Sequence, residues 1–294
     1  MTGKNRLARC RPLLGTYVDI TLQGDFTNAQ LIKLSQLGFA AIEHIQHLMS
    51  FHSSKSELTH INRYAHLESQ PVSALTFEVL QQALQLSELS QGLFDVTVGS
   101  ALVQHRALPN HGFYERKHSF GMNEYANWQA IQLQSNAIFF SQPLQIDLGG
   151  IAKGFAVDKA FDAIQHAADK LTSEANSSKA DINICINAGG DLRMSHWQQK
   201  TVGIRHPKQP QQLLPITLRN TALATSAGYF LADSHSTESA GIYSPKTHTP
   251  VRDNRSYSVF ADSCMLADAL TKVIALMENP DPLLTALNAE ALII

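Results

Sequence analysis

Charge is scarce in this chain. Only 16% of its 294 residues are Asp, Glu, Lys or Arg, and 23 basic residues nearly cancel 25 acidic ones. An ordinary soluble domain carries about 25% charged residues. The balance leaves no basic footprint for nucleic acid, while 44% apolar residues exclude a mainly disordered chain. Cysteine is scarcer still. Cys10, Cys185 and Cys264 are scattered without a C-x-x-C pair, which excludes a disulfide framework and a cysteine-based zinc site. The 13 histidines form no H-E-x-x-H or His-x-His cluster. No apolar run approaches the roughly 20 residues of a membrane span. Arg6, Arg9 and Arg11 have the charge of a secretory leader, but the apolar stretch that should follow is missing. The expectation is a cytoplasmic protein without a membrane span. Its length fits one large domain or two intimate halves.

Patterning then gives the elements. Val18, Ile20 and Leu22 alternate with Tyr17, Asp19 and Thr21, which predicts a strand over Thr16–Leu22. Thr27 or Asn28 can cap a helix carrying Leu31, Leu34, Ile42, Ile45 and Met49. Phe51–Glu57 reads as a polar loop. Ala74–Ser90 reads as a helix with Phe77, Leu80, Leu84 and Leu86 on its core face, stopped at Gly92. Val103–Trp128 has little periodicity and reads as a surface excursion. A hairpin is expected across Ser135-Asn136. An apolar strand should lead into Asp147, followed by a helix with Ile151, Phe155, Phe161 and Ile164. Lys170–Asp181 reads as a loop, Ile182–Asn187, Thr201–Arg205 and Pro215–Arg219 as short strands, and Met265–Met277 as a helix. Strands and helices mix without strict β-α-β alternation, so the fold class is α+β.

Four segments concentrate Gly, Asp and small residues. Asp147-Leu148-Gly149-Gly150 opens into a helix bearing Lys153 and Gly154. Backbone N–H groups there, with a lysine one turn in, would suit a phosphate, although a strand–Gly-Gly–helix taken alone is more often a tight turn. The spacing is neither a Walker A loop nor G-x-G-x-x-G. Asn187-Ala188-Gly189-Gly190-Asp191 reads as a turn at a strand end. Gly92-Leu93-Phe94-Asp95-Val96-Thr97-Val98-Gly99 follows a helix stop. Ala267-Asp268-Ala269-Leu270-Thr271 lies near a helix start, where Asp268 could be a cap or a favourable N-terminal charge.

Taken in order, these segments resemble the FAD:protein FMN transferase family, also called the ApbE family. The resemblance begins at Leu13-Leu14-Gly15-Thr16. It continues through Met49-Ser50-Phe51-His52 and Ser56-Glu57-Leu58-Thr59-His60-Ile61-Asn62, then the Gly92, Asp147 and Asn187 segments, Ala224–Tyr229 and finally Ala267–Leu270. It spans about residue 13 to residue 272. It implies one domain over residues 1–294, a two-lobed α+β fold with a central cleft. FAD would be the substrate and magnesium the metal, with FMN passing to a threonine hydroxyl of an acceptor protein and AMP released. By motif position, the resemblance implies cofactor contacts from Leu14, His52 (with Phe51 adjacent), Leu93, Phe94, Asp95, Asp147, Lys153 and Ile242. It implies metal ligands in the Gly150 carbonyl and the Asp268 carboxylate; Thr271, one place before the motif's threonine position, is the candidate to take over part of the remaining shell. No catalytic base is implied by a surviving residue.

The departures bear on the chemistry. The family's His-x-x-Asp-Pro-x-Thr-Gly segment corresponds to Gly241-Ile242-Tyr243-Ser244-Pro245-Lys246-Thr247-His248, so the histidine is Gly241, the aspartate Ser244 and the last glycine His248. Where the metal motif has Asp-x-x-x-Thr, the fourth residue after Asp268 is Lys272. Three readings follow: a working FMN transferase with His248 or solvent as proton acceptor, a metal-dependent FAD pyrophosphatase, or an FAD-binding protein with weak or no transfer. Lys272 could replace part of the metal's positive charge as a point cation.

Overall fold

A computed structural model of the chain describes residues 4–113, 126–173, 181–227 and 241–294. It begins with a hairpin. β1 (Asn5–Leu13) and β2 (Thr16–Gly24) pair antiparallel across Leu14-Gly15. Both turn residues have positive φ, 56° and 71°, which matches the twist of a two-residue hairpin. Thr27 then starts α1 (Asn28–Met49) through a reciprocal cap, its side chain accepting from the Gln30 N–H while Gln30 accepts from the Thr27 N–H. Helices α2 (Glu57–Tyr64) and α3 (Ala74–Leu89) flank the short strand β3 (Gln70–Pro71), and α4 (Gly99–Gln104) follows a 3-10 turn at Val96–Val98. A second hairpin, β4 (Ile131–Gln134) and β5 (Ala137–Phe140), turns at Ser135-Asn136 as expected and pairs with β3.

The remainder supplies α5 (Ala152–Ser173), β6 (Ile182–Ala188), β7 (Asp191–Met194), β8 (Thr201–His206), β9 (Gln209–Thr217) and β10 (Ala222–Ala227). After these come β11 (Tyr243–Ser244), β12 (Thr249–Pro250), β13 (Ser256–Ala261), α6 (Cys264–Ile274), α7 (Asp281–Ala286) and β14 (Glu290–Ile293). Seven strands form one antiparallel sheet in the order β1-β2-β6-β7-β10-β13-β14. Helices α1, α5 and α6 pack on it and on one another. The alternation of β2 and β6 sends Val18, Ile20, Leu22, Ile182, Ile184 and Ile186 under those helices. On the opposite face, a smaller apolar cluster of Leu192, Leu223 and Phe260 is covered by Ile204 and Leu218. The main core is continuous, running from the large sheet to Ile138 and Phe140 of the small one.

Several expectations need correction. Phe51 is buried, and the stretch expected as a polar loop ends at the Ser56 cap of α2, which the sequence reading did not identify. The core face of α3 is Val79, Leu80, Ala83 and Leu86, with Phe77 and Leu84 only partly buried. Leu144–Ile146 is buried but is not a strand, because its backbone is paired by a side chain rather than a ladder. Helix α5 continues past Lys170 to Ser173. Parts of the expected excursion (114–125), of the loop after α5 (174–180) and of the Ala224–Tyr229 segment (228–229) lie outside the described residues.

Candidate functional site: a cleft backed by a lysine–aspartate cluster

Two distant loops are tied together at one place. The Asp147 N–H donates to the Val96 carbonyl (2.8 Å), joining the Gly92–Gly99 segment to the Asp147–Gly150 turn. Asn62, fully buried on α2, clamps the residue before that turn. Its Nδ2 donates to the Ile146 carbonyl (2.9 Å) and its Oδ1 accepts from the Ile146 N–H (2.8 Å). The amide side chain thus stands in for a neighbouring strand. Gly99 is pressed against the same stretch, since a Cβ there would sit 2.6 Å from the Gln145 carbonyl oxygen. Phe94, Asp95, Asp147, Gly150, Tyr243 and Lys272 wall a cleft of about 250 Å³. Tyr243 also lines a second cavity of about 500 Å³, together with His105 and Arg252. Ligand sites are commonly about 300–1,000 Å³.

The two cleft carboxylates differ. Asp95 is spent on local structure. One of its oxygens accepts from the Thr97 N–H and hydroxyl and the other from the Trp128 N–H. Burial raises its pKa and these donors oppose the rise. Burial pushes Asp147 up to about 6, against the pull of the Gly149 N–H, His52 and Lys272. A raised carboxylate contributes most to stability below its ordinary value of 3.8, and that contribution is lost as pH rises through about 6. Asp147→Asn, which keeps an acceptor for Gly149, should therefore stabilise the ligand-free protein by about 1–3 kcal/mol near pH 8 and by little near pH 4. Thermal unfolding across that range checks this. An equal change at both ends would show that the charge is not what costs stability.

Behind the cleft lies a cluster of opposite charges. Lys153, in the first turn of α5, ion-pairs with buried Asp191 and lies 3.9 Å from Asp268 Oδ2. Burial pulls its pKa down, but Asp191 and Asp268 outweigh this and hold it above the ordinary lysine value. Asp268, wholly buried on α6, accepts the Gly154 N–H on Oδ2 (3.1 Å) and pairs with Lys272 through Oδ1. Lys272 Nζ also donates to the Asp268 carbonyl oxygen (2.9 Å), which takes the Thr271 hydroxyl as well (2.7 Å). Thr271 Oγ1 meets Ser226 Oγ at 2.7 Å. The first turn of α5, read as a phosphate cradle, has Asp268 as its anion.

Of the residues assigned from sequence, Leu93, Phe94, Asp95, Asp147 and Gly150 line the cleft. Lys153, Asp268 and Thr271 stand behind it. Leu14 occupies the β1–β2 turn, its N–H donating to Gln46 Oε1 (2.6 Å). His52 is exposed but close enough to lower the Asp147 pKa, whereas Phe51 belongs to the core. Ile242 is buried beside the cleft-lining Gly241 and Tyr243. Ser244 and His248 close the β11–β12 turn, and neither lines the cleft. Missed were Asn62 as a clamp, Asp191 as the lysine's partner, and Asp158, which caps α6 by accepting from the Cys264 (3.0 Å) and Met265 (2.8 Å) N–H groups. The Asp268–Lys272 spacing of four on one helix was the available signal for that pair.

An antiparallel sheet with helices on one face and a cleft formed by loops is an α+β ligand-binding architecture, not a parallel dinucleotide fold. The sequence profile of the ApbE family matches residues 14–292, and the chain belongs to that family. The FAD:protein FMN transferase of Vibrio cholerae serotype O1 is 28% identical over 255 residues, covering 80% of this chain and 71% of the relative. The protein of that name from Treponema pallidum is 23% identical over 279 residues, covering 90% and 76%. The crystal structure of an ApbE protein from Thermotoga maritima superposes with a TM-score of 0.80 at 22% identity, over 99% of this chain and 94% of that one. The flavin transferase ApbE from Vibrio cholerae gives 0.75 at 24%, with the same coverages. Among the described residues, no helix is long and apolar enough to cross a membrane.

Proposed function

We propose that the chain is an FAD:protein FMN transferase, a single domain whose two lobes flank the cleft. The observation that carries this reading is the meeting of Phe94, Asp147 and Gly150 in one cleft, in a chain of the ApbE family. Phe94 offers an aromatic wall for the flavin, and Lys272 offers a cation to the diphosphate. In the reaction, an acceptor threonine hydroxyl oxygen bonds to the FMN-side phosphorus. The bond from that phosphorus to the bridging oxygen breaks, AMP leaves with the oxygen, and the hydroxyl proton is released. Asp147, a cleft carboxylate with a raised pKa, is suited to take that proton at neutral pH.

The resemblance to the family implies magnesium, and two of its three proposed ligands, Asp268 and Thr271, do not fit it as they stand. Both Asp268 carboxylate oxygens, the Asp268 carbonyl and the Thr271 hydroxyl are engaged by protein groups. No step is assigned to a metal. The second reading, an FAD-binding protein without transfer, is favoured by Gly241, which lines the cleft where the family resemblance places a histidine. Incubating the purified protein with FAD, with and without a threonine-containing acceptor peptide, separates the two by chromatography of AMP, FMN and labelled peptide. Transfer gives AMP and flavinylated peptide in equal amounts, with a rate that falls as pH drops below about 6. AMP with free FMN would establish a pyrophosphatase, and intact bound FAD a binding protein.

A further inference from the structure

We propose that the Lys272 ammonium is the resident cation of this cleft, excluding a divalent ion from Asp268 and facing the FAD diphosphate in its place. The inference rests on the reading of the cleft as an FAD site. Lys272 and Asp268 lie four residues apart on α6, so one helix face carries both, with the acidic residue N-terminal to the basic one. The lysine is held at two points, Oδ1 and the backbone carbonyl of the same aspartate. Its stem runs over Gly150, where a Cβ would lie 3.6 Å from Cε, so the ammonium, the Asp268 carboxylate and the Gly150 turn share one place. An ion bound to Oδ1 would have to displace the ammonium.

Three further features support the assignment. Lys272 lines the cleft while Asp268 is sealed behind it, so the charge reaching a ligand is the lysine's. Two of the ammonium's three N–H donors are spent on Asp268, leaving one for a phosphate oxygen. The other Asp268 oxygen is committed to the Gly154 N–H, with Lys153 at 3.9 Å, so the carboxylate cannot turn toward an ion without abandoning α5. Lysine is a compact point charge suited to phosphate without bidentate geometry.

The test uses the full chain with FAD bound and Mn²⁺ as a spectroscopic probe. Wild type should show no stoichiometric Mn²⁺ site by electron paramagnetic resonance, and its AMP release should change less than about twofold with EDTA. Lys272→Thr, which frees Asp268, should gain one Mn²⁺ site and become EDTA-sensitive. Lys272→Met, which keeps the stem without the charge, should weaken FAD binding about 10- to 100-fold, the range of a charge-assisted hydrogen bond. A wild-type Mn²⁺ site that is lost in Asp268→Asn would overturn the proposal. So would AMP release abolished by EDTA, no Mn²⁺ site in Lys272→Thr, or unchanged FAD affinity in Lys272→Met. If no form releases AMP, the transferase reading fails, and Mn²⁺ and FAD binding still decide the role of Lys272.

Discussion

Replacing Asp268 by alanine should destabilise the protein by roughly 3–5 kcal/mol, the usual cost of removing one partner from a buried ion pair. The side chain is wholly buried and its two oxygens take a backbone N–H and an ammonium. After truncation, Lys272 keeps only the carbonyl of residue 268, the Gly154 N–H loses its acceptor inside the protein, and Lys153 keeps Asp191 alone. Midpoint temperature should fall by roughly 6–15 °C, and AMP release should be lost with it. Asp268→Asn keeps an acceptor for Gly154 but leaves Lys272 uncompensated, so it should fall between alanine and wild type. Lys272→Met removes that stranded charge, and the double variant Asp268→Asn, Lys272→Met should be more stable than the sum of the single changes implies. If Asp268→Ala unfolded within about 0.5 kcal/mol of wild type, the carboxylate would not be the structural anion joining α5 to α6.

The chain's local grammar was readable. Thr27, one of the two cap candidates, does cap α1, Ser135-Asn136 makes its hairpin, and α5 and α6 lie close to their apolar periodicity; the reciprocal bond from Gln30 was not read. What failed was local structure that is paired at a distance. Leu144–Ile146 has the composition of a strand, but Asn62, 84 residues away, replaces the partner strand. The Ser56–Asn62 segment carries family resemblance without revealing its work. Ser56 caps α2, Glu57 holds Ser73 at the start of α3 (2.6 Å to its N–H), and Asn62 clamps the cleft turn. Such residues look like ligand contacts in sequence because Ser, Glu and Asn suit both tasks. In the same way, Asp191 closes an apparently plain glycine turn, and its pairing with Lys153 spans 38 residues. The edge strand β1 went unread because Arg6, Arg9, Arg11 and Pro12 dilute its alternation, although these residues suit an exposed edge.

Gly154→Ala should be as damaging as the loss of Asp268, although alanine is the better helix former by about 1 kcal/mol. The reason lies across the interface. A Cβ at residue 154 would run into the Cys264 carbonyl oxygen, and would lie 2.6 Å from its carbon and 2.8 Å from Met265 Cα. These are backbone atoms at the start of α6, fixed from the other side by Asp158, which accepts both the Cys264 and Met265 N–H groups. Relief requires α5 and α6 to separate, and that lengthens the Gly154–Asp268 bond and shifts Lys272 off the Gly150 turn. The expected cost is at least about 3 kcal/mol, at the upper end for overpacking because no side chain can yield. Gly38→Ala is the internal comparison. There the added Cβ meets Ile164 Cδ1 of α5 at 2.6 Å and Ile20 Cδ1 of β2 at 2.9 Å, both terminal atoms of side chains packed against α1. Rotamer shifts can absorb that contact, and the helix gain offsets part of it, so Gly38→Ala should cost less than about 1.5 kcal/mol. Chemical denaturation of the two variants in parallel gives the ordering. If Gly154→Ala proved the milder of the two, the close approach of α5 to the start of α6 would not be what fixes Asp268 and Lys272 behind the cleft.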